Sequence, residues 1–420
     1  MPKTSIDSLP REILPDIFLP LVGWDGNQQK TVDQVRNDLR LVSHLWDDII
    51  LSNPHLWTCI EIFVYGPPMS TIKLLLERSR QLPIELDLRF INEGIVMNER
   101  YAMKLLDVLW ESSHRWKKIT LYLEAETACL LTRYPFANAV LLESVNIDLT
   151  VQYQYDPEEV VPFIIQTFAK APALRCLEYS PLNRPTAKFI INSELRLNTL
   201  TALHLTIPRY DCVGAALGVF HRCGSATWIS LNTWGLPRLE ALDDDSWSLH
   251  LPNLRILELR GAHMLGSFDC PNLQILSISP DTGCIDAEIT PLVSLEAVSA
   301  YISTSKHSLQ VLRLEAVTRR DLAKFFRNND LVRIPVLEVK TSLDRHTSLE
   351  WVQEKVLGGM RERFGGCHEP IYAVDGARVT AIGWVDSRVL QSFGRYFSNT
   401  RTRALQPGLL PPYRPDDPRM

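Results

Sequence analysis

The chain has 420 residues, 45% of them hydrophobic and 22% charged, the balance of an ordinary globular protein long enough for a small module beside a larger domain. Its formal net charge of -5 gives no electrostatic ground for nucleic acid or an anionic membrane as partner. The opening MPKTSIDSLP lacks the apolar core of a secretory signal and the apolar runs are too short to span a bilayer, so a soluble protein of the cytoplasm and/or nucleus is expected.

The first predicted element is a helix opened by Leu9-Pro10, with proline at the first helical position and Glu12 in the first turn, where a carboxylate suits the positive end of the dipole. Ile13, Leu14, Ile17, Phe18 and Leu21 follow at helical spacing and are expected to make one broad apolar face. Pro15 falls inside this helix and should remove a backbone bond and kink it; Pro20 falls near its end. A polar insert runs from Gly23 to Lys30. A second start appears at Thr31, with Gln34 three residues on as a capping box. Val35, Leu39 and Val42 continue the apolar period, Leu45, Trp46, Ile49 and Ile50 extend it, and Asn53-Pro54 stops it. About fifty residues of helix cannot bury so many large apolar side chains alone, so part of the face should meet a partner.

In order and chemistry, Leu9-Pro10, Glu12-Ile13-Leu14, Ile17-Phe18, Leu39, Leu41-Val42-Ser43, Trp46, Ile49, Pro54 and Leu56-Trp57 resemble the F-box, the adaptor-binding module of ubiquitin ligases. The insert is longer than in compact F-boxes and is similar to forms found in mushroom-type fungi. The resemblance implies that Leu9, Pro10, Ile13, Leu14, Ile17, Phe18, Leu41, Val42 and Trp46 contact a Skp-family adaptor within a cullin complex.

Beyond residue 60 a strand-like unit, L-x-x-L-x-L, recurs. It appears as Leu254-Leu257-Leu259, Leu309-Leu312-Leu314 and, with substitutions, Leu273-Leu276-Ile278. Looser copies are Trp116-Ile119-Leu121, Leu142-Val145-Ile147, Leu174-Leu177-Tyr179, Leu200-Leu203-Leu205 and Ala226-Ile229-Leu231, and the weakest are Leu295-Val298-Ala300 and Ile334-Leu337-Val339. The spacers at Ser70, at Asp156 to Lys170 and at Thr318 read as helices. The intervals suit leucine-rich repeats of roughly 20–29 residues. The segment from His114 to Leu123 looks like the start of the repeat region in fungal F-box proteins. The expected fold is therefore α/β: a small N-terminal helical F-box at 1–60, then an irregular leucine-rich-repeat-like right-handed solenoid at 61–345 with a parallel sheet on its concave side. A capping region at 346–405, with a helix from His346 to Phe364 and strands at Ile371 to Val374 and Val379 to Val385, and a disordered proline-rich tail at 406–420 complete the division. The asparagine that usually follows L-x-L is missing after Leu259, and a non-repeating α/β domain is the alternative.

In such a sheet the leucines point into the core, and the residue between them and the one after point to the opposite face. The first column then runs Thr120, Asn146, Glu178, His204, Ser230, Glu258, Ser277, Ser299, Arg313 and Glu338; its neighbour runs Tyr122, Asp148, Ser180, Thr206, Asn232, Arg260, Ser279, Tyr301, Glu315 and Lys340. Tyr122, Glu178, His204, Asn232, Glu258, Arg260, Tyr301, Arg313 and Glu315 are the candidate contacts for an unknown target protein, their mixture suiting protein recognition.

No phosphate-cradling glycine loop and no nucleophile elbow is found, and no base and acid pair with His204 or Cys176, so no catalytic residue, cofactor site or metal site is assigned. Asp243-Asp244-Asp245 lacks the rest of a calcium loop, and Trp228, Trp234 and Trp247 read as core aromatics. The eight cysteines form no CxxC pair and read as buried reduced thiols. The resemblance implies a substrate-recognition subunit of a cullin-based ubiquitin ligase. The alternatives are a non-degradative scaffold that meets the adaptor without cullin, and a cryptic enzyme with a site at a repeat edge.

Overall fold

The computed structural model describes residues 9–22, 30–63, 65–92, 95–131, 133–150, 168, 170–181, 197–207, 218–233, 249–260, 265–279, 295–304, 309–317, 334, 336–341, 371–375 and 378–382. The expected helix from Asp156 apart from positions 168 and 170, those from Thr318 and His346, the polar insert up to Gln29, the triple aspartate, Trp234, Trp247 and the proline-rich tail lie outside them. The chain divides into two compact units, Met1–Ser308 with Leu314–Ala316, and Leu309–Arg313 with Val317–Met420.

The first unit begins with three short helices, α1 (Leu14–Val22), α2 (Val32–Arg40) and α3 (His44–Ser52). The capping box forms as expected: the Gln34 N–H donates to Thr31 Oγ1 at 3.1 Å and the Thr31 N–H to Gln34 Oε1 at 2.9 Å. The expected continuous run from Val35 to Ile50 is instead broken at Leu41–Ser43, because Ser43 starts a helix of its own, accepting from the Trp46 N–H at 3.3 Å. Pro15 does not kink a helix interior. The turn at Pro10–Ile13 precedes α1, so Pro15 is the second helical residue, where its missing N–H would have no partner anyway. Pro20 is the proline inside α1.

A sheet follows, built in chain order. Its strands in this unit are β1 (Cys59–Ile62) and, after α4 (Met69–Arg78), β2 (Ile84–Arg89). A small antiparallel pair, β3 (Ile91–Asn92) and β4 (Ile95–Val96), and helix α5 (Glu99–Trp110) lead to β5 (Trp116–Glu124); α6 (Ala125–Leu131) leads to β6 (Ser144–Thr150). Then come β7 (Cys176–Pro181), β8 (Ala202–Ile207), β9 (Trp228–Thr233), β10 (Leu249–His250), β11 (Ile256–Arg260), β12 (Phe268–Asp269) and β13 (Ile275–Ser279). The large sheet runs β1-β2-β5-β6-β7-β8-β9-β11-β13, every pair parallel, and β10 pairs with β12 in a two-stranded sheet. The protein is thus α/β with a large parallel sheet.

Register explains the core. Leu86, Ile119, Val145, Leu177, Leu203, Ile229, Leu257 and Leu276 stand opposite one another, and two residues on Leu88, Leu121, Ile147, Tyr179, Leu205, Leu231, Leu259 and Ile278 do the same; all are buried. Before the strands a turn recurs: the N–H of Leu142, Leu174, Leu200, Ala226, Leu254 and Leu273 donates to the carbonyl three residues back. The residue after each of these leucine-like positions then donates to the same place in the unit before, as Thr201 does to the Arg175 carbonyl and Thr227 to that of Thr201, both at 2.8 Å and 26 residues apart. Asn253 and Asn272 bridge units as well, donating to the carbonyls of Gly224 and Pro252. Asparagine thus bridges neighbouring units from the turn.

Helix α7 (Leu295–Thr304) overturns the expected strand at Leu295-Val298-Ala300. Leu295, Val298 and Tyr301 are its buried residues, three apart, a spacing that fits a helix better than a strand's alternation. Strand β14 (Val311–Val317) has residues in both units, and the second unit holds β15 (Val336–Thr341) and an antiparallel hairpin, β16 (Ile371–Asp375) and β17 (Arg378–Ile382), with β17 also antiparallel to β15.

Candidate protein-interaction site

Two surfaces carry the residues singled out in the sequence, and the first is the helical module. The expected broad face of α1 is split in two. Leu14, Phe18 and Val22, four apart, are at most 2% exposed, and the Phe18 ring meets that of Trp46 with centroids 4.6 Å apart. Leu14, Phe18 and Trp46 are therefore the module's own core and cannot be adaptor contacts, because a three-helix block this small uses its largest side chains to close on itself. The other stripe stays outside: Ile13 is 45% exposed, Ile17 37% and Leu21 46%, with Leu9 at 37% and Pro10 exposed before it. At the break between α2 and α3, Leu41 and Val42 are exposed by 85% and 55%. Such a concentration of exposed aliphatic groups on one small module is what a docking surface requires.

The module is braced against the sheet by a residue that the hydrophobic pattern did not nominate. Arg36 is 1% exposed, and its guanidinium donates to the Leu56 carbonyl at 2.8 Å, to the Cys59 carbonyl and to Asp33, while lying 5.0 Å from the Trp57 ring centroid. Burial lowers its pKa and the nearby Asp33 carboxylate opposes that shift. Glu61 on β1 completes the brace by accepting the Val32 N–H, at the start of α2, at 2.7 Å. No apolar periodicity could reveal an arginine facing inward; the signal was only that Val32 and Arg36 stand four apart on the helix.

The second surface is the polar face of the sheet. The two predicted columns are in register on adjacent strands: Thr120, Asn146, Glu178, His204, Ser230, Glu258 and Ser277 stand opposite one another in turn, and so do Tyr122, Asp148 and Ser180, then Thr206 and Asn232, then Arg260 and Ser279. Tyr122 is half-buried beneath Arg89, whose guanidinium lies 4.9 Å from its ring centroid and 5.0 Å from that of Phe63. Arg89 also holds Asp87 at 3.1 Å. Glu178 is exposed; burial and the neighbouring Glu178 carboxylate push Asp148 up to about 6. His204 meets the edge of Trp228 at 4.5 Å, and burial pushes it down to about 4, so it packs as a neutral ring. Asn232 donates to Thr206 Oγ1 at 3.5 Å, and Glu258 and Arg260 are partly exposed on β11.

Four expected members depart from this picture. Tyr301 and Ser299 lie on α7, and Tyr301 is buried, so neither belongs to a strand column. In the second unit Arg313 meets Glu338 at 3.0 Å, poorly aligned for a hydrogen bond, and Glu338 is buried, so this pair ties strands together. Glu315 is partly exposed on β14.

Among the described residues no group of histidine, cysteine and acidic side chains is placed to hold a metal, and no helix is long and apolar enough to cross a membrane. Cys59, Cys223 and Cys270 are buried free thiols, each pushed up to about 12 chiefly by burial; Cys176 is partly exposed. No protein-family model matches the chain, and no curated protein is found to be similar to it.

Proposed function

We propose that this protein is the substrate-recognition subunit of a cullin-based ubiquitin ligase, with an F-box that docks a Skp-family adaptor and a leucine-rich-repeat-like sheet that holds a target protein. The observation that carries the reading is the exposed stripe Ile13, Ile17 and Leu21, continued by Leu9 and Pro10, on a module braced to the sheet through Arg36 and Glu61. Catalysis is left to other subunits. The chain contributes position, since two binding surfaces on one rigid unit raise the effective concentration of target near the transferring enzyme.

The test is co-purification of the full chain with a Skp-type adaptor and a cullin. Each aliphatic side chain that a partner buries contributes on the order of 1–2 kcal/mol, so Ile13→Ala with Ile17→Ala should weaken adaptor binding by roughly thirty- to several-hundredfold. Circular dichroism should stay unchanged, because both side chains are already outside. Full adaptor binding by the folded double variant would overturn the reading.

A further inference from the structure

The polar face of the sheet is not electrically even. Over β1 to β7 it carries Glu61, Glu85, Asp87, Asp148 and Glu178 against Arg89 and Lys118. Asp87 is matched by Arg89. Asp87 and Asp33 act unfavourably on Glu61 while Arg89 favours its charge, and Glu178 acts unfavourably on Asp148 while Lys118 favours the charge of Glu178. One Asp148 carboxylate oxygen is buried without a donor.

At the β1 end this face runs into a cleft of about 240 Å³ lined by Thr31, Asp33, Glu61, Phe63, Tyr65 and the Gly66-Pro67 turn. Two carboxylates and two aromatic rings share its wall, and Tyr65 is 75% exposed. That is the chemistry of a site for an organic cation, which gains from a carboxylate and from a ring face together. Beside the cleft Arg89 already sits between the Phe63 and Tyr122 rings, so the same surface holds one guanidinium in this way.

We propose that this half of the sheet face binds an extended basic segment of the target polypeptide, with one lysine or arginine in the Glu61 cleft and a second on Asp148 and Glu178. The inference rests on the target-holding role assigned above and names the class of segment held. The span suits it. Four strand steps separate β1 from β7, roughly 19 Å at the usual spacing, which an extended peptide crosses in about six residues. Acidic segments are repelled by the same charges.

The experiment is fluorescence anisotropy on the full-length protein at low salt. The probe is a fluorescein-labelled nine-residue peptide of glycine and serine with arginine at its second and eighth positions, beside the same peptide with glutamate there. The arginine peptide should bind and the glutamate peptide should not, with binding falling as salt rises. Asp148→Asn with Glu178→Gln, and separately Glu61→Gln, should each weaken it at least tenfold, while Glu111→Gln on the helical side should leave it unchanged. Asparagine and glutamine keep the shape, and cooperative thermal melts report that the variants are folded. Absence of arginine-peptide binding, equal binding of the glutamate peptide, or variants within twofold of the parent would overturn the proposal. Adaptor co-purification with the parent protein separates the two readings: a parent that keeps the adaptor but does not bind the arginine peptide strikes the basic-segment inference alone, and a parent that binds the peptide but not the adaptor strikes the ligase assignment alone.

Discussion

Replacing Arg36 with alanine should do as much damage to the helical module as removing one of its large core side chains. The side chain is 1% exposed and serves the carbonyls of Leu56 and Cys59 on either side of the junction with β1, besides Asp33. Alanine leaves two carbonyls with no donor from this side chain, at about 1–3 kcal/mol each, and deletes the packing against Trp57. Some water will reach Asp33, which is 41% exposed, so the ion pair adds little. The expected total is about 3–5 kcal/mol, a large fraction of the 5–15 kcal/mol typical of a folded domain. Urea unfolding followed by tryptophan fluorescence measures it, since Trp46 and Trp57 are both in the module. Lysine at position 36 should recover only part of the loss, because an ammonium cannot reproduce the fork that reaches two carbonyls. Arg40→Ala is the control: its Asp47 partner is reached near the surface, with both side chains about one third exposed, and it should cost no more than about 1 kcal/mol. A loss below about 1 kcal/mol for Arg36→Ala would refute the claim that this residue holds the module to the sheet.

Other expectations can be checked alongside. Phe18→Ala should cost about 3–5 kcal/mol in the same unfolding assay, whereas Ile17→Ala, one residue away on the outer stripe, should cost well under half of that. Gly66 has φ +38°, and an added Cβ would meet the Tyr101 ring, whose hydroxyl donates to the Pro67 carbonyl at 2.6 Å. Gly66→Ala should therefore cost at least the roughly 1–2 kcal/mol of a left-handed residue; an unchanged midpoint would deny the close approach. Asp148 has its pKa raised in the folded state to about 6, so the folded chain holds a proton that the unfolded chain releases near 3.8, and stability falls as pH rises between those values. Asp148→Asn should flatten the thermal-melt profile between pH 4 and 6 and raise stability at pH 7 by on the order of 1 kcal/mol after allowance for solvent screening. Parallel pH profiles for parent and variant would rule this out.

Much of the sheet was legible because its code is local. A leucine every second residue fixes which side chains face inward, and the phrases LPNLRILEL and CPNLQILSI repeat the turn before the strand, so the columns from Thr120 to Ser277 fell into register. The helix α7 escaped because Leu295, Val298 and Ala300 satisfy a strand's spacing loosely, while Leu295, Val298 and Tyr301 satisfy a helix's more closely. On α1 the composition showed an apolar helix, yet periodicity could not say which side of a helix apolar nearly all round would close on the other two and which would stay outside. Arg36 and Glu61 were invisible for a different reason. Their roles are hydrogen bonds to backbone atoms of another element, and nothing in residue type encodes where those atoms will lie.

The rungs of backbone hydrogen bonds that tie each turn to the one before it also govern how the chain can come off the ribosome. From β5 to β13 each strand's upstream neighbour is the last large-sheet strand made, so a nascent segment has its template waiting and no strand there must hold its edge open for a distant C-terminal partner. Loop closure is correspondingly cheap, since the partners lie 26 residues apart between Arg175 and Thr227. The same arithmetic makes whole units removable: deleting one between equivalent turn positions joins two surfaces that already match, whereas a deletion of any other length leaves the ladder out of step.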